Sequence, residues 1–261
     1  MNNNPIGIFD SGVGGLSILL EVKKLLPKET FFYLADQEYM PYGGKTTEEL
    51  IKRTDKIASF LVSRQVKAIV VACNTATIAA IDTLRQRYKV PIIGTVPVIK
   101  TIASATKTKN IAVFSTPSTS KSTYLDDLIQ KFAPEMTVYR IGETSLEHFI
   151  EEGEIEGPQI EAVLKKELVP LVSAGVDAIA LGCTHYPFVK EQIIKIVGNE
   201  VTVCDSGGAV ARRLSQVLEH EGLLALQKGI DRYYTTGDEG KFKRVASKLL
   251  QEEIVAKHLE L

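Results

Sequence analysis

Two segments of this chain are near copies of one another, and each carries a cysteine at the same place. KAIVVACNTAT runs from Lys67 to Thr77, and DAIALGCTHYP from Asp177 to Pro187. Both pass from an apolar run with the look of a buried strand to a cysteine, then to a small hydroxyl or amide residue, then to a stretch expected to be helical. Upstream, IGIFDSG at Ile6 is echoed by IAVFSTP at Ile111, and the cysteine strand follows at a similar distance in each half. Such a repeat predicts two α/β halves related by a pseudo-two-fold and facing each other across a cleft. Ligands of open parallel sheets sit beyond the carboxyl ends of the strands, where both cysteines fall.

The remaining pattern agrees. Short β-branched runs at Ile6–Phe9, Phe31–Leu34, Ala68–Val71, Ile111–Phe114, Val138–Ile141, Ala178–Leu181 and Arg232–Tyr234 alternate with stretches of helical period. Those stretches include Glu48–Arg64, Thr123–Phe132, Ile160–Ser173 and Val189–Val197. Thr46 followed by Glu49 predicts a capping box at the head of the Glu48 helix. The alternation implies mostly parallel sheets flanked by helices. We expect a discontinuous first domain, residues 1–97 and 207–261, carrying Cys73, and a second domain, residues 98–206, carrying Cys183. The segment ending in YYTTGDEGKF has no counterpart before Pro97 and is assigned to the first.

Charge and cysteine usage exclude several classes. A net charge of −1 with scattered Lys and Arg argues against a nucleic-acid surface. No apolar stretch approaches the roughly 20 residues that span a bilayer, and the start MNNNPIGIFD does not read as a signal peptide. A cytoplasmic protein is expected. Three cysteines, Cys73, Cys183 and Cys204, with no CxxC spacing, argue against both a disulfide framework and a structural zinc site. A metal held by Cys73, Cys183 and His185 stays open as a lesser alternative.

A buried cysteine is by default a small hydrophobe. Two at matching positions, each expected at a helix N-terminus that lowers a thiol pKa, point to chemistry. Cys204 has no twin and reads as structural. Asp10 ends the first strand before Gly12, Gly14 and Gly15, and is either a turn former or a carboxylate serving Cys73. That glycine spacing fits no nucleotide motif. Ser11, Asn74, Thr75 and Thr184 offer short hydrogen-bonding groups that suit a small carboxylate, although each alone reads as a cap. His185 can shuttle a proton for Cys183. His148, His220 and His258 are expected in surface helices. Tyr42 and Gly43, in the loop MPYGGK, and Asp36, at the end of the second strand, are read either as turn residues or as lining the cleft.

FDSGVGGLS, PYGGK, ACNTA, LGCTHYP and YTTGD together resemble the glutamate racemases of the cofactor-independent aspartate/glutamate racemase superfamily, end to end and in family order. The resemblance implies that Cys73 and Cys183 are the catalytic acid/base pair. It implies that Asp10, Ser11, Tyr42, Gly43, Asn74, Thr75, Thr184 and His185 contact substrate. Asp36, and Glu151 in FIEEG, with Glu152 as the alternative, match carboxylates that assist the thiols. It also implies glutamate as substrate, no cofactor or metal, a homodimer, and supply of D-glutamate for peptidoglycan. Three positions depart from the family pattern. SLEHFIEEG lacks the usual apolar-proline run, Ser118 stands where glycine is usual (Thr116 and Thr119 remain), and Cys204 replaces an aliphatic residue.

The chemistry is consistent with that resemblance. Inverting an α-carbon needs a proton removed from one face and one delivered to the other, and two opposed bases do this without motion of either. By the family's assignment Cys73 deprotonates D-glutamate and Cys183 L-glutamate. The alternatives are an aspartate racemase or related two-cysteine isomerase, a thiol-nucleophile hydrolase or transferase, and a non-catalytic binding protein. The hydrolase leaves the second thiol unexplained.

Overall fold

The computed structural model describes residues 1–261. In chain order its elements are β1 (Ile6–Asp10), α1 (Leu16–Leu25), β2 (Phe31–Ala35), α2 (Thr47–Ser63), β3 (Ala68–Val71), α3 (Asn74–Arg87), β4 (Ile92–Gly94) and α4 (Ile99–Ala105). There follow β5 (Asn110–Ser115), α5 (Pro117–Ser120), α6 (Thr123–Phe132), β6 (Thr137–Gly142), α7 (Ser145–Glu151), α8 (Pro158–Ser173), β7 (Ala178–Gly182), α9 (Lys190–Val197) and β8 (Thr202–Cys204). The chain ends with α10 (Gly207–His220), β9 (Arg232–Thr235), α11 (Glu239–Leu250) and β10 (Ala256–His258). It divides into two compact units, Met1–Thr95 with Gly207–Leu261, and Val96–Ser206.

The first unit holds a six-stranded sheet in the order β10-β9-β2-β1-β3-β4, and the second a four-stranded sheet in the order β6-β5-β7-β8. Every strand pair is parallel. The repeat is therefore written into the topology. β6-β5-β7-β8 retraces β2-β1-β3-β4, and the first unit adds β9 and β10 beyond β2. Parallel strands covered by helices on both faces lose their alternation and become apolar throughout. β1, β3 and β7 are buried at every residue.

Local chemistry sets the element ends. Thr46 and Glu49 form the expected capping box: the Thr46 hydroxyl accepts from the Glu49 amide at 3.2 Å, and the Glu49 carboxylate accepts from the Thr46 amide at 2.8 Å. Helices α2 and α3 pack on one face of the first sheet through Ile57, Leu61, Ala76, Ala80 and Leu84 against Phe9, Leu34, Ile69 and Val71. In the second unit Ile99, Ile102 and Leu125 meet Ile111, Val113, Ala178 and Ala180.

Two expectations need correcting. His258 is in strand β10, not a helix, because Ile254 and Ala256 face inward while Val255 and Lys257 face out, a period of two. And Cys183, unlike Cys73, does not open an α-helix. A 3₁₀ turn, Tyr186–Val189, separates it from α9. The reason is Pro187. The Cys73 carbonyl accepts the first α-type bond from the Thr77 amide at 2.9 Å. Pro187 stands at the equivalent position of the repeat and has no N–H to give. The Cys183 carbonyl instead takes a bond from Tyr186, one residue nearer, at 3.2 Å.

Candidate active site

Strands β1 and β3 pair in register, Phe9 opposite Val71, and the Ala72 amide continues the ladder onto the Phe9 carbonyl at 2.8 Å. Asp10, Ser11 and Cys73 consequently emerge side by side at the carboxyl end of the sheet. All three are buried. The Ser11 hydroxyl lies 3.8 Å from Cys73 Sγ and 3.4 Å from Asp10 Oδ1. The Gly15 amide donates to Asp10 Oδ2 at 2.7 Å, which fixes the carboxylate. Only glycine fits at Gly15: a Cβ there would fall 2.7 Å from Asp10 Cβ and 2.9 Å from the Tyr33 hydroxyl.

The Cys73 thiol is not acidified. Burial foremost, then the charge of Asp10, push it well above the usual thiol range, outweighing the Ala76 amide and the Ser11 hydroxyl that favour the thiolate. The expected helix N-terminal effect is thus present and too small to win.

Next to it, Asn74 is 3% exposed, and neither its side-chain nitrogen nor its side-chain oxygen has a hydrogen-bond partner within the protein. Leaving such a group unpaired in a buried site costs about 1–3 kcal/mol. Thr75 is buried beside it, and Gly43 is exposed in a 3₁₀ turn. The buried Tyr42 hydroxyl donates to Asp36 at 2.6 Å, and burial with the Asp36 charge holds that phenol well above its usual pKa. Asp36 is gripped in turn by Arg53 Nε at 2.8 Å, Arg53 Nη2 at 2.5 Å and the Thr236 hydroxyl at 2.9 Å. Its side-chain bonds run to these three groups and Tyr42 and not to the thiol, and they tie it to the PYGGK loop through Tyr42.

In the second unit β7 delivers Cys183, Thr184 and His185, all buried. The thiol donates to Glu147 Oε1 at 3.1 Å, and its sulfur lies 3.6 Å from His185 Nδ1. His185 Nε2 meets Glu151 Oε1 at 2.8 Å. Between Glu151 and Glu152, the structure brings the first to the site: Glu151 is buried and Glu152 is exposed at the end of α7. Glu147 escaped the sequence reading. It lies four residues before Glu151 on one face of α7, and that spacing was the available signal. The turn is held by Tyr186, whose ring packs 4.7 Å from Phe114 and whose hydroxyl donates to the Glu143 carbonyl at 2.6 Å. Thr116 caps α5, accepting from the Thr119 amide at 3.3 Å.

The chain is similar along most of its length to known proteins. The family model described as Asp/Glu/Hydantoin racemase matches residues 17–214. The glutamate racemase of Pseudomonas aeruginosa is 41% identical over 242 residues, 92% of this chain and 91% of that protein. The crystal structure of glutamate racemase isoform RacE1 from Bacillus anthracis superposes with a TM-score of 0.89 at 33% identity, covering 100% of this chain and 99% of the other. That of the Francisella tularensis glutamate racemase in complex with D-glutamate gives 0.86 at 33% identity, covering 100% and 98%. With the family model matching most of its length and relatives about 40% identical throughout, the chain belongs to the Asp/Glu/Hydantoin racemase family.

Proposed function

We propose that this protein is a glutamate racemase in which Cys73 and Cys183 are the two acid/base groups. The observation that carries this reading is the pair of buried thiols at matching strand ends, each inside its own proton-handling shell, in a chain similar throughout to glutamate racemases. With D-glutamate, the Cys73 proton passes to Asp10 and the thiolate takes the α-proton. The Cys183 thiol then delivers its proton to the opposite face, and His185 with its Glu151 partner restores it. With L-glutamate the roles exchange. The Asn74 amide, with Thr75 and Thr184, receives polar groups of the substrate, and Tyr42 is set by Asp36 to close the loop side. Desolvation of the thiolate base and hydrogen bonds to the α-carboxylate supply much of the barrier lowering.

The same reading puts the reaction in the cytoplasm, in a homodimer, supplying D-glutamate for peptidoglycan. No helix is long and apolar enough to cross a membrane. Incubation with L-glutamate in heavy water, without added cofactor, tests the proposal. Loss of optical rotation with deuterium at the α-carbon is expected, and a parallel incubation with L-aspartate is expected to stay inert. Absence of both signals from glutamate would refute the reading, and turnover of aspartate alone would transfer it to an aspartate racemase.

A further inference from the structure

Glu147 stands in the segment SLEHFIEEG, which departs from the pattern of the family this chain resembles, and it completes a donor set. Glu147 Oε1, Cys183 Sγ and His185 Nδ1 all lie within 4.8 Å of one another. The separations suit one small ion. Zinc–sulfur and zinc–nitrogen bonds of about 2.3 and 2.0–2.1 Å at a tetrahedral angle place sulfur and nitrogen about 3.6 Å apart. Cys183 Sγ and His185 Nδ1 are 3.6 Å apart. The sulfur–oxygen separation of 3.1 Å is shorter than a zinc site needs, so binding requires the partly buried Glu147 carboxylate to move outward by a few tenths of an ångström.

The surroundings match as well. A ligating imidazole nearly always gives its other nitrogen to a carboxylate, which fixes the ring and its tautomer. Here His185 Nε2 is already on Glu151 at 2.8 Å. Thiolate, imidazole and carboxylate together form a borderline donor set suited to Zn²⁺, and three protein ligands leave a fourth position for water.

We propose that Glu147, Cys183 and His185 form a Zn²⁺ site. Binding replaces the Cys183 proton by the metal: the S–H bond breaks, the thiolate pair goes to the ion, and one proton leaves to solvent. His185 binds neutral through Nδ1. The site stands independently of the substrate. Its consequence, reversible arrest of the Cys183 half of the reaction, rests on the glutamate racemase reading.

Cobalt substitution tests the site without turnover. One equivalent of Co²⁺ added to the full-length protein should give a thiolate-to-cobalt charge-transfer band with tetrahedral d–d intensity. Binding should release one proton, read by calorimetry in buffers of differing ionisation enthalpy. Cys183→Ser should abolish the charge-transfer band, Glu147→Val should weaken binding about 100-fold, and Glu151→Gln about 10–100-fold. Circular dichroism confirms that each variant is folded. The proposal is overturned by no band in the wild type, by a band that survives Cys183→Ser, or by unchanged affinity in Glu147→Val. Zn²⁺ inhibition of α-proton exchange, reversed by chelator, then tests the consequence. Metal binding in a protein inert towards glutamate would leave the site standing and remove only the racemase reading.

Discussion

In the first unit the thiol sits on the N-cap residue of an α-helix and faces a carboxylate and a serine. In the second it ends a strand before a 3₁₀ turn and faces a glutamate and a histidine. The strands that present the two thiols occupy the same place in the same four-strand order, so the difference is not one of fold. It begins at one equivalent position, Thr77 in one copy and Pro187 in the other. Losing a single backbone donor shifts the start of the following helix, and two residues after the cysteine the repeat exchanges Thr75 for His185, which puts an imidazole beside the second sulfur only. The pairing teaches that topology fixes where a thiol stands, while the residues after it fix what it stands beside.

The same contrast recurs at the foot of each cysteine strand, where the repeat aligns Lys67 with Asp177. Lys67 is buried, paired with Glu29 at 2.5 Å and donating to the carbonyls of Asn2 and Leu223 at 2.6 and 2.7 Å. Asp177 is half-buried and receives the amides of Lys107 and Thr108 at 2.6 and 2.9 Å, with the Thr106 hydroxyl also bonded. One copy closes its end with an internal ion pair, the other with a solvated loop cap.

Five substitutions probe these differences. The largest effect is expected from the thiols. Cys73→Ala and Cys183→Ala should each lower racemisation by about 10²–10⁴-fold, the usual worth of a positioned acid or base. Each should keep one-sided exchange: in heavy water Cys73→Ala labels only L-glutamate and Cys183→Ala only D-glutamate. Labelling of both enantiomers by either variant would break the assignment of faces. Next, Lys67→Met strands the Glu29 carboxylate and should cost about 3–5 kcal/mol of stability, read by urea denaturation. A loss below 1 kcal/mol would show that the pair is not sequestered.

Glu147→Val, placed in the Cys73→Ala background, should slow the remaining exchange of L-glutamate about 10-fold. In the Cys183→Ala background it should leave exchange of D-glutamate unchanged. The smallest effect is expected at Asp177. Burial alone would raise its pKa, but the bonds from Thr106, Lys107 and Thr108 outweigh that and lower it. Its contribution is therefore present above the unfolded-state value of about 3.9 and disappears as pH falls through the lower folded value. Asp177→Ala should cost about 1 kcal/mol at neutral pH, and the difference from wild type should vanish in acid.

Much of this was readable in the amino acids. Ala68–Val71 and Thr123–Phe132 have the bounds that β-branched runs and helical period indicate, and Thr46 with Glu49 caps as their chemistry requires. Asp10, Ser11 and Cys73 meet because strand register leaves them no alternative. What stayed hidden depended on contacts across the chain. Glu147 looks like one more surface glutamate of an amphipathic helix until α7 is set against β7. Burial, not the helix terminus, governs Cys73, and no local pattern reports how completely a thiol is enclosed. His258 was misread because a three-residue edge strand is too short to display its period.

The second unit is one uninterrupted stretch, Val96–Ser206, which follows β4 and precedes α10 of the first along the chain. Synthesis proceeds from the N-terminus, so the ribosome releases the whole second unit before the first has received α10, β9 and β10. Until then β2 is a bare sheet edge, the kind of row that recruits stray strands. The newborn chain thus completes the surroundings of Cys183 early and waits for its last fifty-odd residues to close the sheet that bears Cys73.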